Sequence, residues 1–274
     1  MRSFNRIIMS AVCAGLLNPV GAVPAVAQPA APVASAAYAV APVPFAVGEE
    51  LRYKASFAGI HAGSAVMHVL GIENVRGRPA YHIVFTIDGG IPFYRVKDRY
   101  ESWVDVQTLS SLRYVQNISE GGYHRNTTYE IFPDRAQYQK NGEAAQASVP
   151  NPLDDGSFIY AIRAAMPKVG ETRRDDRYFR PDRNPVVLTG LRADTVKVDA
   201  GRFATTVIRP SIKANGIFSE NGDAQVWLSS DANRFPVLVK SKFSKFSLTL
   251  ELQSAKQGDR VAQVGMIADV LAAR

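Results

Sequence analysis

Cysteine is almost absent from this chain. Cys13 is the only one in 274 residues. The sequence after residue 27 therefore has no thiol chemistry, no disulfide and no cysteine-ligated metal. Long apolar runs are missing too. Ile7–Leu17 is shorter than the ~20 residues of a membrane-spanning helix, and Asn18-Pro19 and Gly21 break up the residues after it. No GxSxG, SxxK or HExxH signature occurs. Gly59-Ile60-His61-Ala62-Gly63 has the glycines of a phosphate loop without its lysine or its helix, and reads as a hairpin turn. Nothing in the sequence offers a nucleotide site.

Histidines are scarce: His61, His68, His82 and His124 are the 4 in the chain. His68 and His82 fall on neighbouring predicted strands, but zinc would need a further ligand beside them. Neither a metal nor a cofactor is expected. The carboxylates Asp98, Glu101 and Asp105 share one short segment. Glu101 and Asp105 on one strand face stand roughly 13 Å apart, farther than the ~5–10 Å that separates the two carboxyls of a glycosidase. They read more simply as a cross-strand ion-pair ladder. A hydrolase built on them with a histidine is the least favoured reading.

What is present begins at the N-terminus. Arg2 and Arg6 flank a polar start, Ile7–Leu17 carries no charge, and Ala25-Val26-Ala27 ends the segment. That is the layout of a secretory signal peptide over residues 1–27. It predicts cleavage after Ala27 and a periplasmic protein. Ser10-Ala11-Val12 before Cys13 is the wrong context for lipid attachment. The formal net charge is +7, and removal of Arg2 and Arg6 with the leader leaves +5. In this compartment a nucleic-acid partner is not expected, and a modest basic excess serves solubility.

Residues 28–44 are rich in alanine and proline and carry no charge, the composition of a disordered linker. A single β-rich domain is expected over residues 45–254, with a C-terminal tail at 255–274 that has a short apolar helical pattern at Val264–Leu271. Period-two alternation dominates the domain. Leu51, Tyr53, Ala55 and Phe57 share one face; so do Tyr81, Ile83, Phe85 and Ile87, and Phe246, Leu248, Leu250 and Leu252. Further strand-like runs occur at Ser64–Glu73, Val96–Val106, Leu112–Ser119, Arg125–Phe132, Val186–Val198, Thr205–Lys213, Ala224–Leu228 and Val237–Phe243. One segment, Pro152 to Pro167, has helical spacing in Phe158, Ile159 and Ile162, with Asp154 and Asp155 placed to cap its start. The expected fold is mainly β: a curved antiparallel sheet or half-open β-barrel with one packed helix.

Several landmarks recur in a fixed order. Phe45-Ala46-Val47-Gly48-Glu49 opens the domain, and Gly59 to Met67 follows. Asp98-Arg99-Tyr100-Glu101-Ser102-Trp103-Val104-Asp105 comes next, then Ala161-Ile162-Arg163 at the helix end and Gly201-Arg202-Phe203. Trp227-Leu228-Ser229-Ser230-Asp231 leads into Arg234-Phe235-Pro236-Val237 and is the most specific block. In this order the chain resembles the bacterial exported family catalogued as domain of unknown function 3108, over roughly Phe45 to Leu252. The resemblance implies an envelope protein with a curved β-sheet, and it carries no functional residues.

A curved sheet under one helix can enclose an apolar pocket. The leading reading is a non-enzymatic envelope protein that binds a lipid or acyl chain there. Its expected lining is Tyr53, Phe57, Met67, Tyr81, Phe85, Trp103, Tyr160 and Trp227. The alternative is a structural or assembly protein that binds another envelope protein and has a packed interior.

Overall fold

The computed structural model describes residues 40–213, 218, 220, 223–243 and 246–273. The expected signal peptide and most of the expected linker lie outside the described residues. The sheet strands are β1 Glu50–Phe57, β2 Ile60–Val75, β3 Arg78–Ile91, β4 Tyr94–Asp105, β5 Ser111–Glu120, β6 Tyr123–Phe132, β7 Gln137–Lys140 and β8 Gln146–Ala147. Helix α1, Asp155–Ala164, follows. A second series comprises β9 Thr172–Asp175, β10 Val186–Val198, β11 Gly201–Ser211, β12 Gln225–Ser229, β13 Pro236–Phe243 and β14 Phe246–Lys256. Helix α2, Arg260–Ala272, ends the described chain.

All 14 strands form one antiparallel sheet in the order β8-β7-β6-β5-β4-β3-β2-β1-β14-β13-β12-β11-β10-β9. The chain thus makes two meanders. They are joined where β14 pairs with β1, with Ala55 opposite Leu250 and Tyr53 opposite Leu252. β8 and β9 are the sheet's two ends, so it is an open sheet, as the alternation predicts.

Bulges bend it. The register slips between Val69 and Gly71 on β2 and between Gly190 and Arg192 on β10, and an extra residue on one strand increases local twist. Gly63 and Gly89 face each other across β2 and β3. A Cβ on Gly63 would run into the Asp88 carbonyl and the Gly89 Cα, so these strands come together only as glycine on glycine. Gly63 therefore lies inside β2, whereas the hairpin turn itself is confined to Ala58 and Gly59.

Strand alternation gives the sheet a concave face, which carries α1, and a convex face. Asp154 caps α1: its Oδ1 accepts from the backbone N–H groups of Gly156 and Ser157 at 2.8 and 2.9 Å. Phe158, Ile159, Tyr160 and Ile162 are buried from this helix. The tail is part of the fold. Gln263 of α2 donates to the Tyr81 hydroxyl at 3.0 Å and accepts from the Val47 N–H at 3.3 Å. Phe45 packs edge-on against Tyr81 and Tyr160, with ring centroids 5.2 and 4.9 Å apart. Phe45, Tyr81, Tyr160 and Gln263 thus form one buried cluster that ties α2 to β3 and α1.

Candidate functional site

The concave face is not packed solid. A cavity of about 470 Å³ lies between the sheet and α1. Its apolar wall comes from adjacent strands: Met67 on β2, Phe85 and Ile87 on β3, Val239 on β13 and Leu250 on β14, with Ile159 of α1 above them. These residues share a wall because they keep the inward phase of their strands. Met67 is opposite Phe85, and Val239 opposite Leu250.

The other wall is mixed: Ile118, Tyr129 and Phe179 stand on it among polar and charged side chains. Gln116 of β5, Arg125 of β6, Asp155 of α1, and Arg180 and Arg183 from the segment before β10 line it. Asp155 is engaged: Tyr178 donates to its Oδ1 at 2.7 Å and Tyr114 to its Oδ2 at 3.1 Å. Arg183 Nη1 donates to the Tyr178 hydroxyl at 3.0 Å. Arg125 reaches Gln116 Oε1 only at 3.5 Å, and Arg180 reaches Asp182 only at 3.4 Å. The buried Nε of Arg180 has no hydrogen-bond partner among the described residues.

Two further polar groups are orphaned on the lining. The hydroxyls of Tyr53 and Tyr160 have no partner among the described residues, and their side chains are almost fully buried, 1% and 2% exposed. Burial pushes both phenols well above their usual pKa, so both stay protonated and able to donate. Buried polar groups without a partner are uncommon in folded proteins.

Of the eight residues expected to line a pocket, Tyr53, Met67, Phe85 and Tyr160 lie on this cavity. The other four do not. Tyr81 points the same way as Phe85 but is taken up by Phe45 and Gln263. Phe57 is half-buried at the far end of β1. Both tryptophans belong to the convex face. Trp103 alternates with Ser102, whose partner Tyr114 lines the cavity, and Trp227 pairs with Leu238, the neighbour of inward Val239. Each donates its indole N–H outside: Trp103 to Glu73 at 2.7 Å and Trp227 to Asp194 at 2.8 Å.

The lining arginines and Tyr100, Tyr114, Tyr129 and Tyr178 are not among the eight. A signal for some of them is present in β5 and β6, where Tyr114-x-Gln116-x-Ile118 and Arg125-x-Thr127-x-Tyr129 keep the inward phase. The 178–183 segment has no such period.

The carboxylates of β4 serve different partners. Asp98 accepts from the Tyr100 hydroxyl and the Ser119 N–H. Glu101 lies on the opposite face and binds His82 Nε2 at 2.9 Å and Arg99 at 2.8 Å. Asp105 binds Arg78 at 2.8 Å and the Gln107 and Thr108 N–H groups. His82 is held between Glu101 and Glu73 and stacks on Trp103 at 4.3 Å. The expected ladder is thus seen only in part: Glu101 and Asp105 pair with Arg99 and Arg78, and Asp98 hydrogen-bonds to Tyr100 and Ser119. Among the described residues no group of three or more His, Cys, Asp or Glu could hold a metal ion. No helix among them is long and apolar enough to cross a membrane.

No curated protein matches the chain. A Brucella abortus protein described as a beta-barrel-like protein of domain of unknown function DUF1849 has a similar fold. It is 9% identical with a TM-score of 0.51, over 80% of this chain and 100% of its own. A hypothetical protein of Chlamydia trachomatis is 8% identical with a TM-score of 0.35, over 79% of this chain and 93% of its own. The family described as protein of unknown function (DUF3108) matches residues 52–253. That match runs from within β1 to within β14 and includes α1, and the chain belongs to this family.

Proposed function

We propose that this protein is a non-enzymatic, exported envelope protein that binds an apolar ligand, a lipid or acyl chain, in the concavity of its sheet beneath α1. The observation that carries the reading is the cavity of about 470 Å³ with Met67, Phe85, Val239 and Leu250 on its apolar side. Ligand pockets run from about 300 to 1,000 Å³ and are mostly apolar with a few placed polar groups. A close-packed interior would leave few voids larger than a water molecule. The ligand residues in this reading are Tyr53, Met67, Phe85 and Tyr160 from the sequence expectation, joined by Ile159, Val239 and Leu250. The N-terminal segment with Arg2, Arg6 and Ala25-Val26-Ala27 supports export to the periplasm.

The test is extraction of the purified protein into organic solvent with mass spectrometry of the extract, paired with titration of a fluorescent fatty-acid probe. The expected result is a co-purifying acyl species, or saturable binding of one probe per chain. A lipid-free protein that also ignores the probe would overturn the reading.

A further inference from the structure

We propose that the ligand is a single-chain amphiphile with an anionic oxygen head group, a carboxylate or a phosphate, its head at Arg125, Arg180 and Arg183. This deepens the binding reading above and rests on it.

The charged side chains on the cavity are confined to one side of it. In the sheet, Arg125 on β6 and Leu250 on β14 are six strands apart, about 29 Å along the curve at ~4.8 Å per strand. The sheet bends far enough for both to line one cavity. An amphiphile matches such a space, and a uniformly apolar molecule does not.

Charge on the mixed wall is unbalanced. Three arginines line it with one lining carboxylate, Asp155, which already accepts from two phenols, and Asp182 reaches Arg180 from outside the lining at 3.4 Å. A neutral hydrocarbon would cover guanidinium groups without replacing their hydration. Guanidinium groups match carboxylates and phosphates with paired, charge-assisted hydrogen bonds.

One observation beyond net charge points to the same head group, and the volume bears on the number of chains. Arg180 Nε is buried and has no hydrogen-bond partner among the described residues. The Arg180 Nε is a donor beside the other lining arginines, so an oxygen acceptor on the occupant would satisfy it. The volume of about 470 Å³ sits low in the ligand-pocket range and favours one chain over two.

The experiment is isothermal titration of the purified full chain with four probes of equal chain length, each below its micelle concentration or solubility limit: hexadecanoate, hexadecyl phosphate, hexadecanol and hexadecyltrimethylammonium. Inorganic phosphate is titrated separately. The wild type is compared with the Arg125→Gln/Arg180→Gln double variant. Arg183 is left intact because it holds Tyr178, and a melting curve confirms that the variant folds.

The expected result is at least about tenfold tighter binding of the two anions than of the alcohol, a gap the double variant closes to about threefold or less while hexadecanol affinity holds. The anion that binds more tightly identifies the head group. Equal affinity for the alcohol and the anions, or a preference that survives the double variant, would overturn the proposal. Inorganic phosphate binding as tightly as hexadecyl phosphate would reduce the site to an ion site and also overturn it. If the alcohol binds and the anions gain nothing, this proposal alone fails. If no probe binds, the binding reading fails with it.

Discussion

Arg163 of α1 and Glu49, just before β1, form a bidentate ion pair at 2.6 and 2.8 Å with both side chains shut off from solvent. Arg163 also donates to the carbonyls of Asn233 and Arg234, ahead of β13. One guanidinium therefore ties the helix to both arms of the sheet, and so fixes the roof of the cavity. Breaking a buried pair strands the remaining charge at a cost of about 3–5 kcal/mol, whereas replacing both partners by apolar groups is often close to neutral. Arg163→Met is expected to destabilise by that amount in urea denaturation. Adding Glu49→Leu should recover at least half of the loss. A single variant as stable as the wild type would mean that the pair does not hold the helix.

Asp154 predicts a pH dependence. Its Oδ1 accepts three hydrogen bonds, including one from Ser102 Oγ at 2.6 Å, but its Oδ2 is buried without a partner among the described residues. Burial pushes its pKa up to about 6 against the ordinary 3.8. A raised acid contributes stability that is fully present below its unfolded pKa and is lost as pH rises through the folded value. The window is thus about pH 4 to 6, and two units correspond to about 3 kcal/mol. Asp154→Asn keeps the Oδ1 acceptor and removes the titration. Relative to wild type it should gain about 3 kcal/mol between pH 4 and pH 7.5 in denaturant titrations. A parallel pH profile for the two proteins would place the titration elsewhere.

Gly156 is held by a close approach. A Cβ there would collide with Ser102 Oγ, while Ser102 Cβ would remain at an ordinary 3.5 Å. Gly156→Ala is expected to destabilise by about 1–3 kcal/mol through overpacking. In the Ser102→Ala background the same change should cost at least about 1 kcal/mol less, because the colliding atom is gone. Equal costs in both backgrounds would show that the helix start is not pressed on β4.

The two tryptophans should be bystanders to binding. Trp103 is sandwiched between His82 and Arg113 on the convex face, and Trp227 lies under Arg192 and Lys240. Trp103→Phe and Trp227→Phe are each expected to leave acyl-probe affinity within about twofold, a difference of less than ~0.5 kcal/mol. Their indole hydrogen bonds make a stability loss of about 1 kcal/mol the expected cost. A tenfold affinity loss in either would contradict the placement of the site.

The sheet is legible in the sequence because burial on one face writes a period of two into the chain. The strand-like run Val186–Val198 has the boundaries of β10, and Asp154 caps the helix whose start it marks. Trp103 and Trp227 mislead because large aromatics suggest interior, and strand phase, not size, decides which face they take. Glu73 and Asp194 supply the outside partners, and the Glu73–Trp103 pair is 30 residues apart in sequence, a contact no local pattern records. Arg180 and Arg183 are illegible for a different reason. They belong to an irregular segment whose place at the cavity is set by the fold, and in sequence they look like ordinary surface charge.

Photo-crosslinking with a hexadecanoic acid that carries an aliphatic diazirine, together with peptide mapping, tests the central claim most directly. The account predicts saturable labelling of the concave wall, at Met67, Ile159, Val239 or Leu250. Labels confined to the convex face around Trp103 and Trp227, or no saturable labelling at all, would contradict it.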